Sequence, residues 1–117
     1  MKATRYLILA ARVALLALSA QAAVTTVLSA VSTTGASVAQ DTGNAKYVRV
    51  HVYSAAGSSC TVLIQQSTNN SVWYTVATIT DPSATGEAWS VASIAYTRVN
   101  VSARVSGTIT ATMEIQR

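Results

Sequence analysis

A two-residue alternation of apolar and polar side chains constrains this chain most strongly. It is clearest where three valines alternate with aromatic, basic and imidazole side chains, in the order Tyr47-Val48-Arg49-Val50-His51-Val52-Tyr53. Successive side chains of a β-strand point to opposite faces, so a period of two indicates a strand with one buried face. The valines are therefore predicted to face a core.

The same pattern predicts further strands along the chain. Thr61 to Gln66 is expected to be a strand with Val62 and Ile64 facing inward, and the polar turn after it predicts a hairpin with 72–80. A loop is expected over 81–86, and a short strand over 89–94. Two last strands are predicted on either side of a Ser106-Gly107 turn. The inward face of the first is expected to carry Thr97, Val99, Val101, Ala103 and Val105.

Six or seven short strands at this spacing predict an all-β fold, an antiparallel β-sandwich or jelly-roll-like domain. The predicted domain covers 46–117, preceded by an apolar helix or arm over 1–22. The segment 23–45 is rich in small residues, and its β-branched threonines favour a possible first strand, although a helix fits its apolar spacing too.

The amino-acid composition argues against several classes of protein and of functional site. Charged residues make up 10% of the chain and apolar residues 50%, which is unlike a disordered segment. The single cysteine, Cys60, excludes a disulfide scaffold, and His51 is the one histidine, so no metal-ligand cluster is expected. The acidic residues are too dispersed for a glycosidase pair, and no Gly-x-Ser-x-Gly motif supplies a nucleophile. We expect no catalytic, cofactor-binding or metal-binding residues, and no enzyme.

The net charge of +4 does not predict nucleic-acid binding. Lys2, Arg5 and Arg12 carry most of it, and the rest of the chain has five basic residues against four acidic ones. A protein that neutralises several phosphates needs a basic patch. No nucleic-acid partner is therefore expected.

The first 22 residues have two interpretations. A basic start, an apolar stretch and the Ala20-Gln21-Ala22 pattern are typical of a signal peptide cleaved after Ala22. Arg12 interrupts the apolar stretch, and a retained helix would instead place Arg5, Arg12 and Ser19 on one polar stripe. Such a helix needs a partner surface or a membrane, and a membrane is a partner only if 5–22 serve as an anchor.

Four segments together carry a family resemblance. They lie between Tyr47 and Ile115 and read YVRVHVYS, VLIQQSTNNSVWYTVATIT, AYTRVNVSA and SGTITATMEI. Their order resembles that of small β-sandwich virion proteins of tailed bacteriophages. The resemblance implies a capsid decoration (cement) or other accessory head or tail protein, with other virion proteins and itself as partners, assembled as a homo-oligomer in the host cytoplasm. It implies no catalytic residues.

The polar strand faces and the resemblance to virion proteins together indicate candidate contact residues. Tyrosine and arginine are enriched at protein interfaces, and the expected interface residues share a polar strand face or the N-terminal arm: Arg49, Tyr53, Arg98, Arg104, Leu7, Leu15 and Leu18. The hairpin with its tryptophan is also similar to those of carbohydrate-binding modules. Trp73 and Tyr74 must face opposite ways, and the pair predicts one core ring, preferably Trp73, and one ring free to stack on a ligand.

The alternatives are a secreted binding module, which would bind glycans through Trp73 or Tyr74 after cleavage of the leader, and a membrane-tethered surface or filament subunit.

Overall fold

The computed structural model describes residues 23–117, and these residues form strands and no helix. Nine strands follow one another along the chain: β1 (Ala23–Val31), β2 (Gly35–Ala36), β3 (Gln40–Asp41), β4 (Tyr47–Tyr53), β5 (Ser59–Ser67), β6 (Tyr74–Thr80), β7 (Glu87–Val91), β8 (Tyr96–Ser106) and β9 (Ile109–Gln116). Within this part of the chain, no helix is long and apolar enough to span a bilayer. The expected N-terminal helix or arm over 1–22 lies outside the described residues.

The strands form two antiparallel sheets. Sheet A has the order β1-β9-β4-β7, and sheet B has the order β2-β8-β5-β6, with β3 also paired to β8. The all-β expectation with antiparallel sheets is confirmed; the jelly-roll-like variant stays a prediction. The hairpin of β5 and β6 keeps two long strands in one sheet, whereas the connections after β1, β3, β4, β6, β7 and β8 all lead from one sheet to the other.

One apolar core lies between the two sheets. Sheet A contributes the alternating valines of β4 and the isoleucines and methionine of β9, and sheet B contributes inward residues of β5, β6 and β8. The fully buried members with the largest side chains are Ile64, Ile79, Ile109 and Met113. Each buried aliphatic side chain contributes about 1.5–3 kcal/mol of transfer free energy. Burial of the apolar faces that the alternation predicts therefore stabilises the packing of one sheet on the other.

Three predicted details differ from the structure. The inward face of β8 ends at Val101, because Ala103 and Val105 are exposed. The pairing of β5 with β8 shifts register between Thr61 and Val62, and such a bulge interrupts strict alternation. The strand expected over 89–94 lies at Glu87–Val91, and the segment 23–45 supplies β1, β2 and β3, so the sandwich begins before Lys46.

A buried polar cluster fixes the crossing from β7 to β8. The Thr42 hydroxyl donates to the Ile94 carbonyl at 2.5 Å and lies 2.8 Å from the Thr97 hydroxyl. The Gln66 amide donates to the Ala92 carbonyl at 2.6 Å and to the Thr97 hydroxyl at 3.2 Å. Buried polar groups are costly unless hydrogen-bonded, and these bonds hold the connecting segment against sheet B.

Candidate assembly surfaces

Several large apolar side chains are exposed on edge strands, and others, such as Val38 and Val105, are exposed elsewhere. β1 and β7 are the edge strands of sheet A, and β6 is an edge strand of sheet B. Val24 on β1 is 66% exposed, Val76 on β6 is 40% exposed, and Trp89 on β7 is 37% exposed. Val72, just before β6, is 71% exposed. Each of these edge strands therefore presents at least one large apolar side chain to solvent.

The same edge strands lack the charges that usually protect an edge. β1 reads AVTTVLSAV and β6 reads YTVATIT, without a charged residue, and β7 carries Glu87 alone. An edge strand presents unpaired backbone N–H and C=O groups, and native proteins commonly block them with lysine, proline or a covering segment. Among residues 23–117, no further strand pairs with the outer edges of β1 and β6, and these edges are chemically suited to pairing with another chain.

The outer face of sheet B carries an ordered arginine. The Arg98 guanidinium lies 4.2 Å from the centre of the Trp73 ring, and its Nε donates to Oε1 of Gln65 at 2.9 Å. The Gln65 amide in turn reaches the Thr75 hydroxyl at 3.4 Å. Stacking and a fixed hydrogen bond hold the planar group, so its terminal nitrogens are oriented before any partner binds.

The two aromatic residues of the β5–β6 hairpin do not divide into one core and one surface ring. Trp73 is half-buried outside the core beneath Arg98, and Tyr74 is 45% exposed. Tyr74 pairs with Gln66 in the register of β6 and β5, where the interior is polar. The preferred core position of Trp73 is therefore wrong, and Arg98 covers one face of its ring. Ligand stacking by Trp73 or Tyr74 stays a prediction.

The outer face of sheet A carries the polar side chains of β4. This face carries Tyr47, Arg49, His51 and Tyr53, which alternate along β4 with its buried valines. The rings of His51 and Tyr53 lie 5.2 Å apart, and the Arg49 guanidinium lies 5.8 Å from the centre of the Tyr47 ring. Strands β1, β7 and β9 of the same sheet also contribute to an open groove on this face.

A tyrosine–glutamate pair lies at the border of this groove. The Tyr47 hydroxyl donates to Oε1 of Glu114 at 2.7 Å. This hydrogen bond, followed by burial and the negative charge of Glu114, raises the pKa of Tyr47 above its ordinary value. The phenol is thereby stabilised in its neutral form.

The predicted interface residues do not form one surface. Arg49 and Tyr53 lie on the outer face of sheet A, whereas Arg98 lies on that of sheet B. Arg104 is near the end of β8, where its Nε donates to the Gly107 carbonyl at 2.8 Å. The two sheets of a sandwich present their outer faces in opposite directions, so a single Tyr/Arg patch is excluded. The arm residues Leu7, Leu15 and Leu18 lie outside the described residues.

The single histidine and the single cysteine of the chain lie on different sheets. Nε2 of His51 is 3.0 Å from the Thr85 carbonyl on the outer face of sheet A. Cys60 is buried on β5, with its sulfur 3.4 Å from the Ser58 hydroxyl. Among residues 23–117, no three histidine, cysteine, aspartate or glutamate side chains gather to hold a metal ion.

The exposed edges could not be predicted from the sequence, because period-two alternation does not reveal which strands are outermost. A signal was nevertheless present: β6 is an uncharged strand that exposes Val76 while it buries Ala77 and Ile79. Such two-sided patterning is unusual for a protected edge.

Solved structures of other proteins share the fold of this chain. No protein-family model matches the chain, and no curated protein matches it. The solved structure of YomS, a protein derived from prophage SPBc2, is similar with a TM-score of 0.65 and 13% identity over 83% of this chain and 94% of that one. The exported protein XepA of prophage PBSX is similar with a TM-score of 0.56 and 20% identity over 85% of this chain. This chain spans 38% of the XepA chain. The residues described here thus have a fold found in two prophage-derived proteins.

Proposed function

We propose that this protein is a non-enzymatic structural protein of a phage particle, a capsid decoration (cement) protein or another accessory head or tail protein that assembles on a repeating lattice. The uncharged edges of β1 and β6, with their exposed valines, carry this proposal. The likeness to two prophage-derived proteins supports a phage origin.

Assembly would supply stability as well as location. A neighbour that pairs with an open edge satisfies its backbone groups and buries its valines, at about 25 cal/mol for each Å² of apolar surface. Such a neighbour binds only the folded state of the chain and not the unfolded state, so mass action favours folding. The major capsid or tail protein and a second copy of this chain are the partners that this proposal assigns.

The outer faces would add specificity to these edge contacts. Arg98, held on Trp73, offers a preorganised fork for a carboxylate, and Arg49 and Tyr53 offer a second contact on the opposite face. Two separate faces suit a subunit that is surrounded by neighbours in a lattice. The proposal also assigns Arg104 and the arm residues Leu7, Leu15 and Leu18 to contacts.

The experiment compares the binding of purified protein to particles that lack it. Val76→Lys introduces a charge on the open edge of β6, and Ala84→Lys introduces the same charge on the exposed loop after it. We expect Val76→Lys to reduce particle binding by at least about tenfold, because lysine on an edge opposes pairing. Ala84→Lys should bind like the unmodified chain. Equal binding by both variants, or no binding by the unmodified chain, would contradict the proposal.

A secreted binding module is the second candidate. It is favoured by the signal-peptide pattern ending at Ala22 and by the likeness to XepA, which is described as an exported protein. The intact mass of the protein from its natural source separates the two candidates. A mass beginning at Ala23 would favour the secreted module, and a mass that includes the first 22 residues would favour the particle protein.

A further inference from the structure

A groove lies on the outer face of sheet A. It has a volume of about 310 Å³, within the range of small-ligand sites, and it is open to solvent. Strands β1, β4, β7 and β9 all contribute to its lining, which consists of Val24, Arg49, His51, Ala88, Thr112 and Glu114.

The charged groups in the groove are paired by register but not by contact. Arg49 and Glu114 are direct cross-strand partners, yet no ion pair joins them, and the Arg49 guanidinium lies over Tyr47 instead. Opposite charges at such positions commonly interact. Their separation leaves the Arg49 guanidinium as a strong donor on one groove wall. Glu114 accepts from the Tyr47 hydroxyl through Oε1 and retains Oε2 as an acceptor for a third group.

A hydroxyl group fits this arrangement. It can accept a hydrogen bond from the arginine and donate one to the carboxylate, and the Thr112 hydroxyl lies two residues from Glu114 on the same face of β9. A carboxylate ligand would meet the negative charge of Glu114, and a cationic ligand would meet Arg49. An apolar ligand would leave both charged groups desolvated and unpaired, which is costly.

The apolar side chains of the groove suit the carbon-rich faces of the same ligand. Val24 on β1 and Ala88 on β7 flank the polar row from either edge of the sheet. The lining carries one positive and one negative charge, so it favours a ligand without net charge.

We propose that this groove binds a neutral saccharide, with Arg49, Thr112 and Glu114 as its hydrogen-bonding residues. The ring hydroxyls would bridge the arginine and the carboxylate, and the ring carbons would lie against Val24 and Ala88. The proposal does not require particle assembly and concerns the unassembled chain, because Val24 and Arg49 are also assigned to contacts with neighbours in a particle. It places glycan binding away from Trp73, whose ring is covered on one face by Arg98.

The test is an NMR titration of the labelled protein with neutral trisaccharides (cellotriose, maltotriose and tri-N-acetylchitotriose) at millimolar concentration, with trigalacturonic acid as the charged comparison. At least one neutral trisaccharide should shift the amide resonances of His51, Thr112 and Glu114. Thr112→Val, which keeps the shape and removes the hydroxyl, and Glu114→Gln should each weaken binding by about tenfold, the effect of losing one hydrogen bond to a charged or hydroxyl group.

Trp73→Ala serves as the matched control, because it removes the other aromatic candidate and leaves the groove intact. It should retain the affinity of the unmodified protein, and a retained amide spectrum checks the fold of every variant. Shifts centred on Trp73, stronger binding of trigalacturonic acid, or no binding of any neutral trisaccharide would each overturn the proposal.

Discussion

Arg98 illustrates how single residues are organised on this surface. Its guanidinium is stacked on Trp73 and hydrogen-bonded to Gln65, so a long flexible side chain has become part of a rigid sheet face. The sequence identified Arg98 as a contact residue from its position on a polar face. It did not reveal the stacking, because Trp73 lies 25 positions earlier and reaches β8 across an intervening strand.

We predict that Arg98→Ala lowers the free energy of unfolding by about 1 kcal/mol, the combined scale of a partly exposed cation–π contact and one side-chain hydrogen bond. The indole of Trp73 should become more exposed, which shifts its fluorescence to longer wavelength. Urea unfolding and emission spectra measure both effects. Arg104→Ala is the comparison variant on the same strand, and an equal emission shift in that variant would contradict the stacking account.

Tyr47 provides a prediction of pH dependence. Its pKa is raised, first by the hydrogen bond to Glu114, so the folded chain favours the neutral phenol more than the unfolded chain does. This contribution to stability is fully present below the unfolded pKa of about 10 and is lost as pH rises through the higher folded value. Glu114→Gln should lower the pKa of Tyr47, as followed by its ring resonance. An unchanged titration in that variant would refute the assignment.

At the scale of elements, the best predicted strands are those with one buried face. β4 and β9 alternate strictly, and their inward residues, such as Val50 and Met113, are fully buried. The prediction failed at the end of β8, where a bulge in the pairing with β5 turns Ala103 and Val105 outward. Bulges depend on the partner strand, so a single strand pattern does not contain them.

The buried polar cluster around Gln66 was not predicted, since glutamine and threonine on a strand resemble ordinary surface residues. We predict that Gln66→Leu destabilises the fold by about 1–3 kcal/mol, because the Ala92 carbonyl and the Thr97 hydroxyl lose a buried partner. Urea unfolding measures the change. Thr78→Val on exposed β6 is the control and should alter stability little; a Gln66→Leu variant as stable as that control would contradict the role of the cluster.

At the scale of the whole molecule, the chain passes repeatedly between its two sheets. The sequence predicted six or seven strands, whereas the structure has nine. It did not predict their order, because pairings such as β1 with β9 join residues about 80 to 90 positions apart. That order decides which residues share a face. It places Arg49 and Arg98 on opposite sides and leaves β1, β6 and β7 as edges.

The turn from β8 to β9 is one of these crossings and requires glycine. Gly107 has φ +87°, and a Cβ there would lie 2.6 Å from the Gly57 carbonyl oxygen on the neighbouring crossing. Gly107→Ala should therefore destabilise the protein by more than about 1 kcal/mol. Thermal unfolding measures the loss. Gly35→Ala is the comparison, because Gly35 also has a positive φ (+139°) but has open space around the added Cβ, so the difference between the variants reports the steric clash. A larger loss in the comparison variant would contradict this account.

The exposed edges give the molecule its proposed place in a lattice, and the composition of purified particles tests that claim most directly. Quantitative mass spectrometry of particles from the natural source would measure the ratio of this chain to the major shell or tube protein. The account predicts many copies in a fixed ratio that survives washing in salt, because apolar edge contacts are only weakly screened. Absence of the chain from purified particles would contradict the account.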